Sequence, residues 1–187
     1  MVERLKRVGR VGAVVLGLVA IAACSSGGAP TPGVTATVTS TVTPTPPTTG
    51  EALTIAGANM EHTLTPGQSV TPVPVGSPAR GAIIAFNGPP GWPREHEGSA
   101  SIFVSRVIAV GGDTVACTRD VLVVNGTVRH ETYLYPHSHP CSGDGFEGKT
   151  VHVPLGQVFV MGDHRDDSED SRVNGTVPVT DVLGKIG

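Results

Sequence analysis

The side chains able to do chemistry crowd one stretch near the C-terminus. Gly162-Asp163-His164-Arg165-Asp166-Asp167-Ser168-Glu169-Asp170-Ser171-Arg172 brings carboxylates, two guanidiniums, an imidazole and two hydroxyls into eleven residues. Charge-assisted carboxylate–guanidinium pairs hold such loops together. A serine hydroxyl there stays a weak nucleophile until a neighbouring base takes its proton. A second cluster, His137-Ser138-His139-Pro140-Cys141, has the ligand types of a metal site. It lies in a Pro/Gly-rich loop, however, and no other cluster supplies a fourth ligand. No metal or other cofactor is expected.

These groups need a scaffold, and the scaffold reads as β. Ile83-Ile84-Ala85-Phe86, Ile102-Phe103-Val104, Val107-Ile108-Ala109-Val110, Val121-Leu122-Val123-Val124, Val151-His152-Val153 and Val158-Phe159-Val160-Met161 are strand-length runs rich in β-branched residues. Turn signals separate them, among them Asn87-Gly88-Pro89-Pro90-Gly91, Gly111-Gly112-Asp113 and Asn174-Gly175. Asn125-Gly126, between two valine-rich runs, predicts a hairpin with a type I′ turn. No segment of twelve residues keeps a helical stripe. The expected fold class is all-β, a folded or barrel-like antiparallel sheet.

Composition agrees. Aromatic residues make up 4% of the 187-residue chain, against 25 Gly and 16 Pro, which disfavours a helical bundle. With 13 Lys+Arg against 16 Asp+Glu the net charge is −3. That excludes a nucleic-acid protein held by a broad basic surface and an acidic disordered tail.

The N-terminus is a separate matter. Arg4, Lys6, Arg7 and Arg10 precede thirteen uncharged, mostly apolar residues at 11–23. A spanning helix needs roughly 20 such residues, so this stretch reads as an export signal. Its end, Ile21-Ala22-Ala23-Cys24, resembles the lipobox of bacterial lipoproteins. That likeness implies cleavage after residue 23, lipidation of Cys24, and a location at the extracytoplasmic face of a bacterial membrane. An ordinary signal peptide with a chance cysteine is the alternative. Losing four basic residues and one acid leaves 9 Lys+Arg against 15 Asp+Glu, net −6. Residues 25–50 hold nine Thr, five Pro and no charge, so 24–50 reads as a lipidated cysteine with an extended tether. The folded part is expected within residues 51–187. In an oxidising compartment the two remaining cysteines, Cys117 and Cys141, are expected to pair, with two buried free thiols as the alternative.

The C-terminal box resembles the Gly-Asp-Asn-Arg-x-x-Ser-x-Asp-Ser-Arg box of type I signal peptidases, the S26-like serine peptidases that release export signals. Only His164 departs at its fixed positions. Arg80-Gly81-Ala82-Ile83-Ile84-Ala85-Phe86 is similar to the family's Arg-Gly-Asp-Ile-Val-Val-Phe strand. Ser105-Arg106-Val107-Ile108-Ala109-Val110-Gly111-Gly112-Asp113-Thr114-Val115 is similar to its Lys-Arg-Val-Ile-Gly box. Val124-Asn125-Gly126 and Tyr133-Leu134 follow in family order. Gly57-Ala58-Asn59-Met60-Glu61-His62-Thr63-Leu64-Thr65-Pro66-Gly67-Gln68 is similar to the nucleophile box, Gly-x-Ser-Met-x-Pro-Thr-Leu.

The resemblance implies the signal peptidase fold over nearly all of the folded part. It also implies a Ser nucleophile and a Lys general base, the lysine working as a neutral amine once burial lowers its pKa. The nucleophile position holds Asn59 and the lysine position Ser105, so no catalytic residue is expected intact. Asp163, Arg165, Ser168, Asp170 and Arg172 match the family's supporting shell. These matches predict a lipid-anchored pseudopeptidase that binds extended peptides or the signal peptides of exported proteins, and no nucleic acid. Two alternatives remain: an active serine-type endopeptidase with unconventional residues, such as His62 serving Thr63, or a metal- or partner-binding surface lipoprotein.

Overall fold

The computed structural model describes residues 50–93, 101–143 and 145–187. The expected export signal, Cys24 and all but the last residue of the tether lie outside the described residues. The strands are β1 (Leu53–Thr54), β2 (Ser69–Val70), β3 (Ile83–Asn87), β4 (Ile102–Val110), β5 (Thr114–Thr118), β6 (Val121–Val124), β7 (Thr127–Val128), β8 (Thr150–His152), β9 (Gln157–Met161), β10 (Val177–Pro178) and β11 (Val182–Ile186). One four-residue helix, α1 (Ser171–Asn174), lies between β9 and β10. Among the described residues no helix is long and apolar enough to cross a membrane.

Every strand pair is antiparallel. The sheets run β10-β9-β4-β3-β11, β7-β6-β5-β8 and β1-β2. This is the all-β architecture anticipated from the apolar runs. Asn125 at φ 52° and Gly126 at φ 73° supply the two left-handed residues of a type I′ turn joining β6 to β7.

The central strands are apolar on both faces because both faces are covered. Along β9, Val158 and Val160 enter one cluster with Ile84, Phe86, Trp92 and Val107. Phe159 and Met161 enter another with Ile108, Val115, Leu122 and Phe146. Successive side chains on a strand point to opposite faces, so a strand between two cores reads as a continuous run. A third, small cluster of Ile55, Met60, Leu64 and Val70 fastens the β1–β2 ribbon.

One expectation changes in detail. The runs at 102–104 and 107–110 are one nine-residue strand, β4, carried through Ser105 and Arg106. Those two interrupt the apolar pattern: Arg106 reaches the site below, and Ser105 is buried. Cys117 on β5 and Cys141 form a disulfide with Cα atoms 6.0 Å apart. Cys141 is therefore not offered to a metal by the His137–His139 segment.

Candidate functional site

Strand β9 delivers Gly162 and Asp163 beside β4, since Met161 lies opposite Arg106 in the register. Arg106 grips Asp163 with two bonds, from Nε at 2.8 Å and from Nη2 at 2.6 Å. Its Nη1 donates to the Gly81 carbonyl at 2.8 Å, and its guanidinium lies 4.0 Å from the Tyr133 ring centroid. Thr63 adds a hydroxyl donated to Asp163. Burial disfavours the Arg106 charge, but Asp163 outweighs it and the pKa stays raised.

The network continues inward. Tyr133 donates to Glu131 at 2.6 Å, and burial together with that carboxylate holds the phenol well above its ordinary pKa. Glu131 accepts from Arg165 Nη1 at 2.8 Å and Nη2 at 2.5 Å, while Arg165 Nε donates to the Gly162 carbonyl at 2.9 Å. Arg165 Nη1 also donates to the Pro140 carbonyl at 2.5 Å, one residue from the disulfide. Arg165 and Glu131 are buried, so their fork-to-fork pairing compensates charges that would be costly alone.

Asp170 closes the other end of the box. It caps α1 by accepting from Arg172 N, and also takes Arg172 Nε, Arg172 Nη2, Ser168 Oγ and Gly162 N, all between 2.8 and 3.1 Å. Five donors on one buried carboxylate leave it nothing to gain from water. Gly162 is required here by close approach. A Cβ would collide with Ser168 and sit 2.5 Å from the Asn59 carbonyl oxygen.

Asn59 thus lies against the box. Its carbonyl accepts from His164 N at 3.0 Å, and its Nδ2 donates to the Val104 carbonyl at 2.8 Å. Ser105, the next residue along β4, is buried. Asn59, Ser168 and Asp170 therefore meet around Gly162, and Ser105 follows the Val104 carbonyl that Asn59 holds.

Beside them runs a groove of about 310 Å³, lined by residues 53–57, Asn59, residues 102–104 and Glu169. Among the described residues both of its rims carry unpaired backbone groups, apart from the Val104 carbonyl that Asn59 holds. On β4, Gly88 N donates to Ser101 O at 2.9 Å and Val107 N to Ala82 O at 2.8 Å, so odd-numbered residues face β3. Ile102 and Val104 turn their N–H and C=O groups the other way, and β9 covers that side only from Arg106 onward. On the opposite rim, Ile55 N donates to Gln68 O at 2.9 Å and Gly67 N to Ile55 O at 2.8 Å. Thr54 and Ala56 consequently face away from β2. Unpaired backbone edges facing across a gap are a template for an added strand.

Residues 37–187 match the family described as signal peptidase, peptidase S26. This chain belongs to that family. A signal peptidase I of Mycobacterium tuberculosis is 38% identical over 152 residues, covering 59% of this chain and 51% of that protein. Signal peptidase IB of Staphylococcus aureus is 31% identical over 149 residues, covering 71% and 73%. The chain thus spans about half the length of its mycobacterial relative. A crystal structure of a signal peptidase I from Enterococcus faecalis V583 is 29% identical, with a TM-score of 0.47, covering 61% of this chain and all of that one.

Within this signal peptidase family member, Asp163, Arg165, Ser168, Asp170 and Arg172 all take part in the hydrogen bonds of this region. Glu131 was not anticipated. It follows Arg129 and His130 in a polar run that reads as a solvated loop, and only the fold shows Arg165 reaching it. The role of Arg106 was likewise invisible, because nothing local joins it to a carboxylate 57 positions away.

Proposed function

We propose that this chain is a lipid-anchored signal peptidase-like domain that holds extended peptide segments, signal peptides of exported proteins among them, without cutting them. The observation that carries this reading is Asn59. The two-rimmed groove ends at a carboxamide where the family's nucleophile box has serine, and Ser105 stands on β4 where its Lys-Arg-Val-Ile-Gly box has lysine. An amide nitrogen, with its lone pair delocalised, does not attack a peptide carbonyl at neutral pH. A buried hydroxyl has no base to offer it. The groove itself keeps the features that pair with an extended guest: open N–H and C=O groups at Ile102, Thr54 and Ala56 among the described residues.

An active peptidase built on Thr63 and His62 finds no support in the geometry. The Thr63 hydroxyl is bound to Asp163 beneath Arg106, and Thr63 does not line the groove. The lipid anchor rests on Cys24 and the residues before it, at the extracytoplasmic face of a bacterial membrane.

The test is a cleavage assay of the native chain on a preprotein, run beside a titration with its signal peptide. We expect no cleavage and saturable binding. A covalent acyl adduct on the unaltered protein would overturn the inactive assignment, and absence of saturable binding the peptide-holding role. Asn59→Ser combined with Ser105→Lys probes whether only the reacting atoms have been lost; cleavage by the double variant is the expected result. Mass spectrometry of the membrane-extracted protein should find a diacylglyceryl group on Cys24.

A further inference from the structure

We infer that the groove discriminates its guests by charge, favouring extended peptide segments with a lysine or arginine side chain where they pass Glu169. This rests on the peptide-holding reading above and adds the chemical class of the guest. Among the described residues, Glu169 is the one charged residue lining the groove. It is exposed, and among the described residues no hydrogen bond or ion pair engages its carboxylate.

Among the described residues no cation pairs with that charge. The three arginines of the site are already committed: Arg106 to Asp163, Arg165 to Glu131 and Arg172 to Asp170. Asp170, adjacent in the chain, is saturated by five donors and buried, so it does not compete for a guest cation. Backbone groups on the rims accept any extended segment and the apolar lining selects by size, so a preference by charge has Glu169 as its source.

An ammonium meeting one exposed carboxylate gains little, and salt screens it. The expected preference is about two- to fivefold in Kd at low ionic strength, shrinking toward unity near 1 M salt. The probes are a neutral, fluorescently labelled decapeptide of small residues, a set carrying one lysine at successive positions, and a matching set carrying glutamate. At least one lysine peptide should bind more tightly than the neutral peptide and its glutamate counterpart more weakly. Both differences should vanish in Glu169→Gln while the neutral peptide keeps its affinity. If peptides bind with no charge preference, or the lysine preference survives in Glu169→Gln, the inference fails and the peptide groove stands. If no peptide binds saturably, the peptide-holding reading falls and this inference with it.

Discussion

The carboxamide of Asn59 donates from Nδ2 to the Val104 carbonyl oxygen at 2.8 Å, so a side chain from the 57–68 loop occupies an acceptor on the open edge of β4. Val104 and Asn59 are 45 positions apart, and this bond ties the loop to the central sheet. A net hydrogen bond of this kind contributes about 0.5–1.5 kcal/mol. Asn59→Ala should lower unfolding stability by that amount, read from denaturant midpoints. Asn59→Asp should cost more than Ala, because a carboxylate cannot donate and would face the Val104 oxygen.

Gly162→Ala should be among the most damaging small substitutions in the domain. The added methyl has no room between Ser168 and the Asn59 carbonyl. Overpacking typically costs about 1–3 kcal/mol, and here it would also push Asn59 away from the box. Thermal unfolding should show the loss. Gly126→Ala serves as the contrast: a Cβ there meets nothing within 4 Å, leaving only the strain of a positive φ.

Acid should weaken the domain through Asp113. Hydrogen bonds from Arg80, foremost, and then from Val110 N and Asn125 hold its carboxyl well below the usual carboxylate range, against the opposing effect of burial. A depressed folded pKa contributes stability that is fully present above the unfolded value, near about 3.9, and is lost as pH falls through the folded value. Stability measured from pH 5 downward should therefore decline below about pH 4, and Asp113→Asn should flatten that acid limb.

Opening the Cys117–Cys141 bridge should cost about 3 kcal/mol in the chain-entropy model, for a loop of 24-residue separation. The loop includes Glu131 and the Pro140 carbonyl, both of which hold Arg165. The double Cys→Ser variant should therefore show faster amide exchange at residues 162–165 as well as a lower unfolding midpoint. Loss of global stability with no local change there would separate the bridge from the site.

How much of this was legible beforehand depends on the range of the interaction. β3, β6 and β9 could be read because each is a short β-branched run bounded by turn residues, a property of neighbours in the chain. The Asn125-Gly126 hairpin was legible for the same reason. β4 read as two runs because Ser105 and Arg106 break its apolar pattern, and β11 was hidden by Gly184 and Lys185. Gly184 is small because a Cβ there would sit 2.6 Å from the Val73 carbonyl, a contact that nothing in the local pattern announces. The box from Asp163 to Arg172 stood out as a string of residue types, but its partners did not. Glu131, Arg106 and Thr63 belong to it only through tertiary contact.

That separation has a consequence for how the chain reaches its native state. Thr63 meets Asp163 across 100 positions, Arg106 meets the same carboxylate across 57, and Glu131 waits for Arg165 across 34. Each of these closures uses Asp163 or Arg165, which follow all but the last two strands in the sequence. A nascent or threading chain therefore has no assembled centre until its tail emerges, and topologies rich in such distant closures fold slowly. Until that moment Arg106 and Glu131 are solvated side chains in search of partners, and a chain cut before Asp163 would lose the centre entirely while leaving β1 to β9 encoded.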